Sequence, residues 1–275
     1  MSKIKLCVFD LDGTLLTSEK IISKESIKAI NSLKDNNILY TIATGRLDIL
    51  ARQYLRQINS NLPIISCNGS LIRDFSNKIY HIEILDFEIV KNIFNYFSSL
   101  NLHFIFYTEN SILCTKNHPR IKLMENYNKS ALTEDKIEIE ILSDNIEEYK
   151  NLKFLKALAH IEDRGKLLNI QESLNNDFKN LSIVSSDKEL LDIMPSGMNK
   201  GYALSILCKI LNVAPNEVCV FGDNFNDLEM IKFSGVSIVP KNGEDDIKNL
   251  ATFITKSNDD EGISYGINNF ILKKV

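Results

Sequence analysis

Asp10 and Asp12 stand two residues apart in the run Asp10-Leu11-Asp12-Gly13-Thr14, directly after the apolar stretch Leu6, Cys7, Val8 and Phe9. So little polar alternation reads as a parallel strand covered on both faces. Open α/β sheets build their ligand crevices at the carboxyl ends of such strands. On a backbone that stays extended, residues two apart send their side chains to the same side. Paired carboxylates there repel each other and resist burial unless a cation or hydrogen-bond donors compensate. The pattern asks for a metal. Asp and Thr also cap helices and turns, which would need no chemistry. A calcium loop starts with Asp-x-Asp as well, but it needs Gly at its sixth position and Glu at its twelfth. Leu15 and Ile21 hold those places, so calcium is excluded. Taken alone, the motif stays open between a cap and a catalytic pair.

The surrounding elements narrow the choice. A helix from about Lys24, capped by Ser23, carries Ile27, Ile30 and Leu33 on one face and ends at Asn36-Asn37. The apolar run Ile38 to Ala43 then ends in Thr44-Gly45-Arg46. A second helix with Ile49, Leu50, Leu55 and Ile58 follows, and then a short strand from Pro63 to Cys67. Strand, helix, strand, helix, strand predicts a parallel, right-handed α/β sheet. Asn68-Gly69 is a hairpin signal. From about residue 83 the pattern is mixed, with a helix over Phe87, Val90, Phe94 and Phe97. Strands are expected at His103 to Tyr107, Ile137 to Leu142 and Lys153 to His160. The first rhythm returns at Leu190 to Met194, followed by a helix from Lys200 to Leu211 and a strand from Glu217 to Phe221. That strand ends in Gly222-Asp223-Asn224-Phe225-Asn226-Asp227. The expectation is a Rossmann-like α/β parallel-sheet core formed by residues 1–82 and 190–275. An α+β cap domain, residues 83–189, is inserted into it.

In a parallel sheet the Asp10/Asp12, Thr44-Gly45-Arg46 and Asp223/Asp227 clusters share one edge, and Lys200 opens a helix on the return pass. Two acidic pairs, a hydroxyl beside a glycine, and a lysine are what phosphoryl transfer requires. Mg2+ prefers hard oxygen ligands, and a phosphate needs donors and a cation on its oxygens. A carboxylate attacks phosphorus once its charge is offset. Asp10 attacking would form an aspartyl-phosphate. Asp12, one step along, would protonate the leaving oxygen and then deprotonate the hydrolytic water.

These four segments, Asp10-Leu11-Asp12-Gly13-Thr14, Thr44-Gly45-Arg46, Lys200-Gly201 and Gly222 to Asp227, resemble in order the motifs of haloacid dehalogenase superfamily phosphatases. Their spacing is similar to that of the Cof-like subgroup with its large α+β cap. The resemblance covers essentially the whole chain, including Asn68-Gly69 and Asp259-Asp260-Glu261-Gly262. It implies Asp10 as nucleophile, Asp12 as general acid/base, and Thr44 and Lys200 as phosphoryl binders. Gly45 and Asn226 would line the phosphate pocket. Asp223 would bind Mg2+ with the Asp10 carboxylate and the Asp12 backbone carbonyl, and Asp227 would support them from behind. One departure is Val239-Pro240-Lys241-Asn242-Gly243, where relatives carry a Met-Gly-Asn-Ala-type segment. Arg46 is left out of the site, because an arginine at a helix start often just pairs with a surface acid, and Asn68 is expected to serve the turn. His103, His118 and His160 lack acidic or cysteine partners at metal spacing and are expected to belong to the cap structure or the surface.

The composition fits this picture. The chain has 275 residues, a net charge of −4, 44% hydrophobic and 25% charged residues. A mildly acidic balance gives no electrostatic reason to bind nucleic acid or an anionic membrane, and no apolar run is long enough to span one. Asp10 and Asp12 interrupt the only early hydrophobic run, which argues against a leader segment. The five scattered cysteines, with no Cys-x-x-Cys, read as a reduced, cytoplasmic profile. The expected partner is a small phosphate ester. A phosphomutase and a non-catalytic phospho-ligand module are the rival readings.

Overall fold

The computed structural model describes residues 3–273. In chain order, the first elements are β1 (Leu6–Phe9), α1 (Lys24–Asp35), β2 (Leu39–Ile42), α2 (Asp48–Gln57), β3 (Ile64–Ser66), β4 (Leu71–Arg73) and β5 (Ile79–Ile82). Next come α3 (Phe87–Ser99), β6 (His103–Thr108), β7 (Ser111–Cys114), α4 (Ile121–Ser130), β8 (Glu138–Ile141), β9 (Phe154–His160), α5 (Arg164–Asp177), β10 (Leu181–Asp187) and β11 (Leu190–Pro195). The last are α6 (Lys200–Leu211), β12 (Val218–Phe221), α7 (Leu228–Phe233), β13 (Val236–Pro240), α8 (Asp245–Lys248), β14 (Phe253–Thr255) and α9 (Gly262–Gly266). The described chain divides into two compact units, residues 3–81 with 199–273, and residues 82–198.

The first unit is built on a five-stranded sheet in the order β14-β13-β12-β1-β2, and every pairing in it is parallel. Its inner strands are apolar on both faces because both faces are covered. On one face Cys7, Phe9, Cys219 and Phe221 pack with Ala29, Ile30 and Leu33 of α1, Ala51 and Leu55 of α2, and Ile263 of α9. On the other, Leu6, Val8, Val218 and Val220 meet Ala203, Leu204 and Leu207 of α6 and Met230 of α7. Fully burying one such side chain contributes about 1.5–3 kcal/mol. The rings of Phe9 and Phe221 stack with centroids 4.9 Å apart, one residue below Asp10 on β1 and two below Asp223 on β12.

Local signals explain the helix ends. The Ser23 hydroxyl accepts from the Ser26 N–H to cap α1, and Asn37 just past its end takes a φ of 57°. A small three-stranded sheet, β3-β4-β5, with β3 and β4 antiparallel, continues from the parallel one through a bridge between Ala43 and Ile65.

The second unit is a six-stranded sheet in the order β10-β11-β9-β6-β7-β8, antiparallel except for β7 with β8. Helices α3 and α5 cover one face, burying Val90, Ile93 and Phe97, and Leu167, Ile170 and Leu174. Here the structure corrects the domain boundary expected at residue 190. β11 pairs with β10 and β9 inside this sheet, so the strand belongs to the inserted unit and the core resumes at Asn199. The apolar run Leu190, Leu191, Ile193 and Met194 is buried on both faces, like a parallel core strand. Asp192 at its middle is the telling position, because its buried carboxylate pairs with Lys156 and the Ser186 hydroxyl across the sheet. His103, His118 and His160 are neighbours, the His118 ring lying 6.0 Å from His103 and 6.2 Å from His160; His118 is buried, His103 is exposed, and His160 pairs with Glu189 at 3.1 Å. Among the described residues no helix is long and apolar enough to cross a membrane.

Candidate active site

The polar clusters lie at the carboxyl ends of β1, β2 and β12, three neighbouring strands of the parallel sheet. Asp10 directly follows β1, and its N–H donates to the Phe221 carbonyl at 2.9 Å, which fixes it beside the β12 end. Its carboxylate is 5% exposed and accepts from Nζ of Lys200 at 2.5 Å. Lys200, the first residue of α6, is fully buried and also donates to Oδ1 of Asp227 at 2.6 Å. Burial opposes its charge, but Asp10 and Asp227 outweigh it and hold the ammonium above its usual range. One cation thus serves two buried acids.

Asp223 completes the cluster. Oxygens of Asp10, Asp223 and Asp227 lie within 4.8 Å of one another. Burial, helped by Asp227 and Asp223, raises the Asp10 carboxyl well above the ordinary value. Asp223 is pushed up to about 7, first by burial and then by the Asp227 charge. Excess negative charge in a poorly solvated place is what a hard divalent cation relieves, so the donor set fits Mg2+. Asp223 is steadied by the Thr14 hydroxyl, which donates to Oδ1 at 2.7 Å. Gly13 has a φ of 84°, and a Cβ there would strike the Asp223 carboxylate. Asp227 is engaged on both oxygens, since Oδ2 accepts from the N–H groups of Asp223 and Asn224 at 2.9 and 3.2 Å. It orients its neighbours.

Asp12 behaves differently from Asp10. Its side chain is 40% exposed and turned to cations: Arg46 donates from Nε to Oδ2 at 2.7 Å and from Nη2 to Oδ1 at 2.6 Å. Lys20 adds a third bond to Oδ1 at 2.8 Å. Burial acts to raise this carboxyl, but Arg46 and Lys20 overcome it and hold the group far below the usual carboxylate range. The expectation that Arg46 lies outside the site is therefore corrected. Its side chain is 14% exposed and leans on the Tyr54 ring at 5.4 Å, and the acid it pairs with is Asp12. Its place directly after Thr44-Gly45 was the available signal.

Thr44 is buried, its N–H donates to the Ile65 carbonyl at 2.8 Å, and its hydroxyl oxygen accepts from the Arg46 N–H at 3.1 Å. A hydroxyl carries one donor besides its lone pairs, so its O–H remains for a ligand oxygen. Gly45 and Asn226 both meet Asn68: Asn226 Nδ2 donates to Asn68 Oδ1 at 3.1 Å, and a Cβ on Gly45 would lie 3.0 Å from that same oxygen. The departing segment at residues 239–243 supports the site's backbone. Asn242 Nδ2 donates to the Gly13 carbonyl at 2.8 Å, and the next amide but one, Glu244 N–H, donates to the Asp223 carbonyl at 3.0 Å.

Comparisons with known proteins identify the family. A family model for haloacid dehalogenase-like hydrolases matches residues 7–267. Two Bacillus subtilis proteins, each named 5-amino-6-(5-phospho-D-ribitylamino)uracil phosphatase, are 31% and 27% identical, and the alignments cover 98% of this chain and 98% and 96% of theirs. The crystal structure of a haloacid dehalogenase-like hydrolase from Bacteroides thetaiotaomicron superposes with a TM-score of 0.81 at 26% identity, covering 97% of this chain and 99% of that one. With a match over nearly its whole length, the same sheet and the same insertion, this chain belongs to the haloacid dehalogenase-like hydrolase family.

Proposed function

We propose that the chain is a Mg2+-dependent phosphatase that hydrolyses small phosphorylated metabolites through an aspartyl-phosphate on Asp10. The observation that carries this reading is the division between two neighbouring carboxylates. Asp10 is buried beside Lys200 in an acidic cluster, whereas Asp12 is half-exposed and has its own cations. In the first step an Asp10 oxygen bonds to phosphorus while the ester P–O bond breaks, and Asp12, protonated from solvent once the Arg46 fork loosens, delivers that proton to the leaving oxygen. In the second, water attacks the aspartyl-phosphate, Asp12 takes its proton, and inorganic phosphate leaves with Asp10 restored. Lys200 offsets charge at Asp10 throughout, and the Thr44 hydroxyl, the Gly45 backbone and the Asn226 amide hold phosphoryl oxygens. Mg2+, held by Asp10, Asp223 and the Asp12 carbonyl with Asp227 behind them, would supply positive charge against the phosphoryl group.

The two relatives named for a phosphoribitylamino-uracil support a substrate with a phosphorylated sugar-like chain, from the sugar phosphates or phosphorylated cofactors. The five free, buried cysteines support a reducing, cytoplasmic setting. The test is a panel of phosphate esters with Mg2+, scored for free phosphate. Turnover that survives Asp10→Asn would sink the nucleophile assignment. An isomerised sugar phosphate as product would favour a mutase, and ligand binding without turnover a non-catalytic module.

A further inference from the structure

One turn touches every loop that carries a candidate phosphoryl contact. Cys67, Asn68 and Gly69 follow β3 with consecutive positive φ values of 50°, 53° and 104°. That conformation is costly for residues with a Cβ, and such strain collects at functional sites. Asn is among the side chains that tolerate it best. The turn is bonded to the loop after β2, where the Cys67 N–H donates to the Arg46 carbonyl at 2.9 Å and the Asn68 N–H to the Thr44 carbonyl at 3.0 Å. Gly69 lies so near the carbonyl of Asn199, which caps α6 ahead of Lys200, that a Cβ would collide with it. Asn68 is 1% exposed, and its Oδ1 accepts from Asn226 Nδ2 at 3.1 Å and would lie 3.0 Å from a Cβ at Gly45.

We propose that Asn68 is a positioning residue of the phosphoryl pocket that acts by orienting the carboxamide of Asn226. The proposal rests on the phosphatase reading above. A carboxamide turns broadly about its last bond, and its two ends are opposite in hydrogen-bonding sense. The Asn68 oxygen only accepts, so it selects the nitrogen end of Asn226 and fixes the amide plane. The second N–H of that nitrogen is then held in one direction. Unprotonated phosphoryl oxygens only accept, so an Asn226 turned to present its own oxygen would repel them. Asn68 decides which face of Asn226 a phosphate meets.

Asn68→Gly removes the carboxamide and leaves a residue at ease with positive φ, so the turn survives. With p-nitrophenyl phosphate as substrate, Asn68→Gly is expected to raise KM and the inhibition constant of inorganic phosphate about tenfold, with kcat falling less and the thermal midpoint little changed. Asn226→Ala should match it, and the double variant should be no worse than the poorer single, because the two act as one unit. Effects that multiply independently, or an Asn68→Gly enzyme with unchanged KM and phosphate inhibition, overturn the proposal. So does unchanged phosphate affinity in Asn226→Ala, whose half-buried side chain makes it the second variant. If the wild type hydrolyses no ester, the phosphatase reading fails by itself, and calorimetry with inorganic phosphate decides. Weaker binding by Asn68→Gly supports the positioning role, whereas equal binding, or none by the wild type, rejects it.

Discussion

Arg46 holds Asp12 as a fork, Nε to one carboxylate oxygen at 2.7 Å and Nη2 to the other at 2.6 Å. A bidentate guanidinium fixes direction as well as charge. In this arrangement Asp12 is ionised, ready to take a proton, and it must loosen the fork before it gives one. Arg46→Lys keeps the charge and loses the fork. We expect kcat to fall roughly tenfold to a hundredfold, less than the roughly 10²–10⁴ that loss of an acid–base group costs. The loss should be larger for alkyl phosphates than for p-nitrophenyl phosphate, whose leaving group needs little protonation. Equal losses on both esters would show that Arg46 does not act through Asp12.

The acidic cluster of Asp10, Asp223 and Asp227 predicts a stability response to metal that needs no substrate. Millimolar Mg2+ should raise the thermal midpoint of the wild type, by linkage worth about 2.7 kcal/mol when the ion stands at a hundred times its dissociation constant. Asp223→Asn should abolish that rise. Without metal, the same variant should be as stable as the wild type or more so, because it removes one of three crowded carboxylates. Differential scanning fluorimetry with Mg2+ and with a chelator checks both statements.

His118 predicts acid lability. It is 3% exposed, and burial, followed by His103, Arg120 and His160, pushes its imidazole down to about 3. Its Nδ1 accepts from the Arg120 N–H at 3.1 Å, which suits the neutral ring. The unfolded chain takes up a proton near pH 6.5 and the folded one does not until about 3. Stability from this group is therefore intact above about pH 6.5 and drains away as pH falls toward 3. The denaturant midpoint should drop between pH 7 and pH 5, and His118→Gln should flatten that slope.

Lys156 and Asp192 form a buried ion pair in the inserted sheet, with the ammonium 4.7 Å above the Tyr107 ring. Removing one partner strands the other. Asp192→Ala should cost about 3–5 kcal/mol, whereas the joint replacement Lys156→Met with Asp192→Leu should recover most of it. Denaturant unfolding of the three proteins measures the difference.

The reacting groups were legible because they are local. Asp10, Thr44 and Asp223 each follow an apolar run, and a parallel sheet forces such ends to one edge. Side chains that arrive sideways were not legible. Nothing in the spacing of Arg46 and Asp12 says that a guanidinium folds back over a neighbouring strand end, and nothing in Asn68-Gly69 says that its amide meets Asn226. The boundary expected at residue 190 failed for a related reason, since a strand buried on both faces looks the same whichever sheet receives it. His103 and His160 are direct cross-strand partners in β6 and β9, a relationship set by register that no sequence separation reveals.

The stacked rings of Phe9 and Phe221 have a consequence beyond holding two strands together. Phe9 and Phe221 are register partners on hydrogen-bonded strands, and the Asp10 N–H continues that ladder to the Phe221 carbonyl, so the gap between Asp10 and Asp223 is governed by the strand spacing that these rings pack against. Substitutions of these rings should read out as altered kinetics although they touch no ligand. The interior acts here as the site's gauge, and the tolerance of the chemistry is the tolerance of the packing.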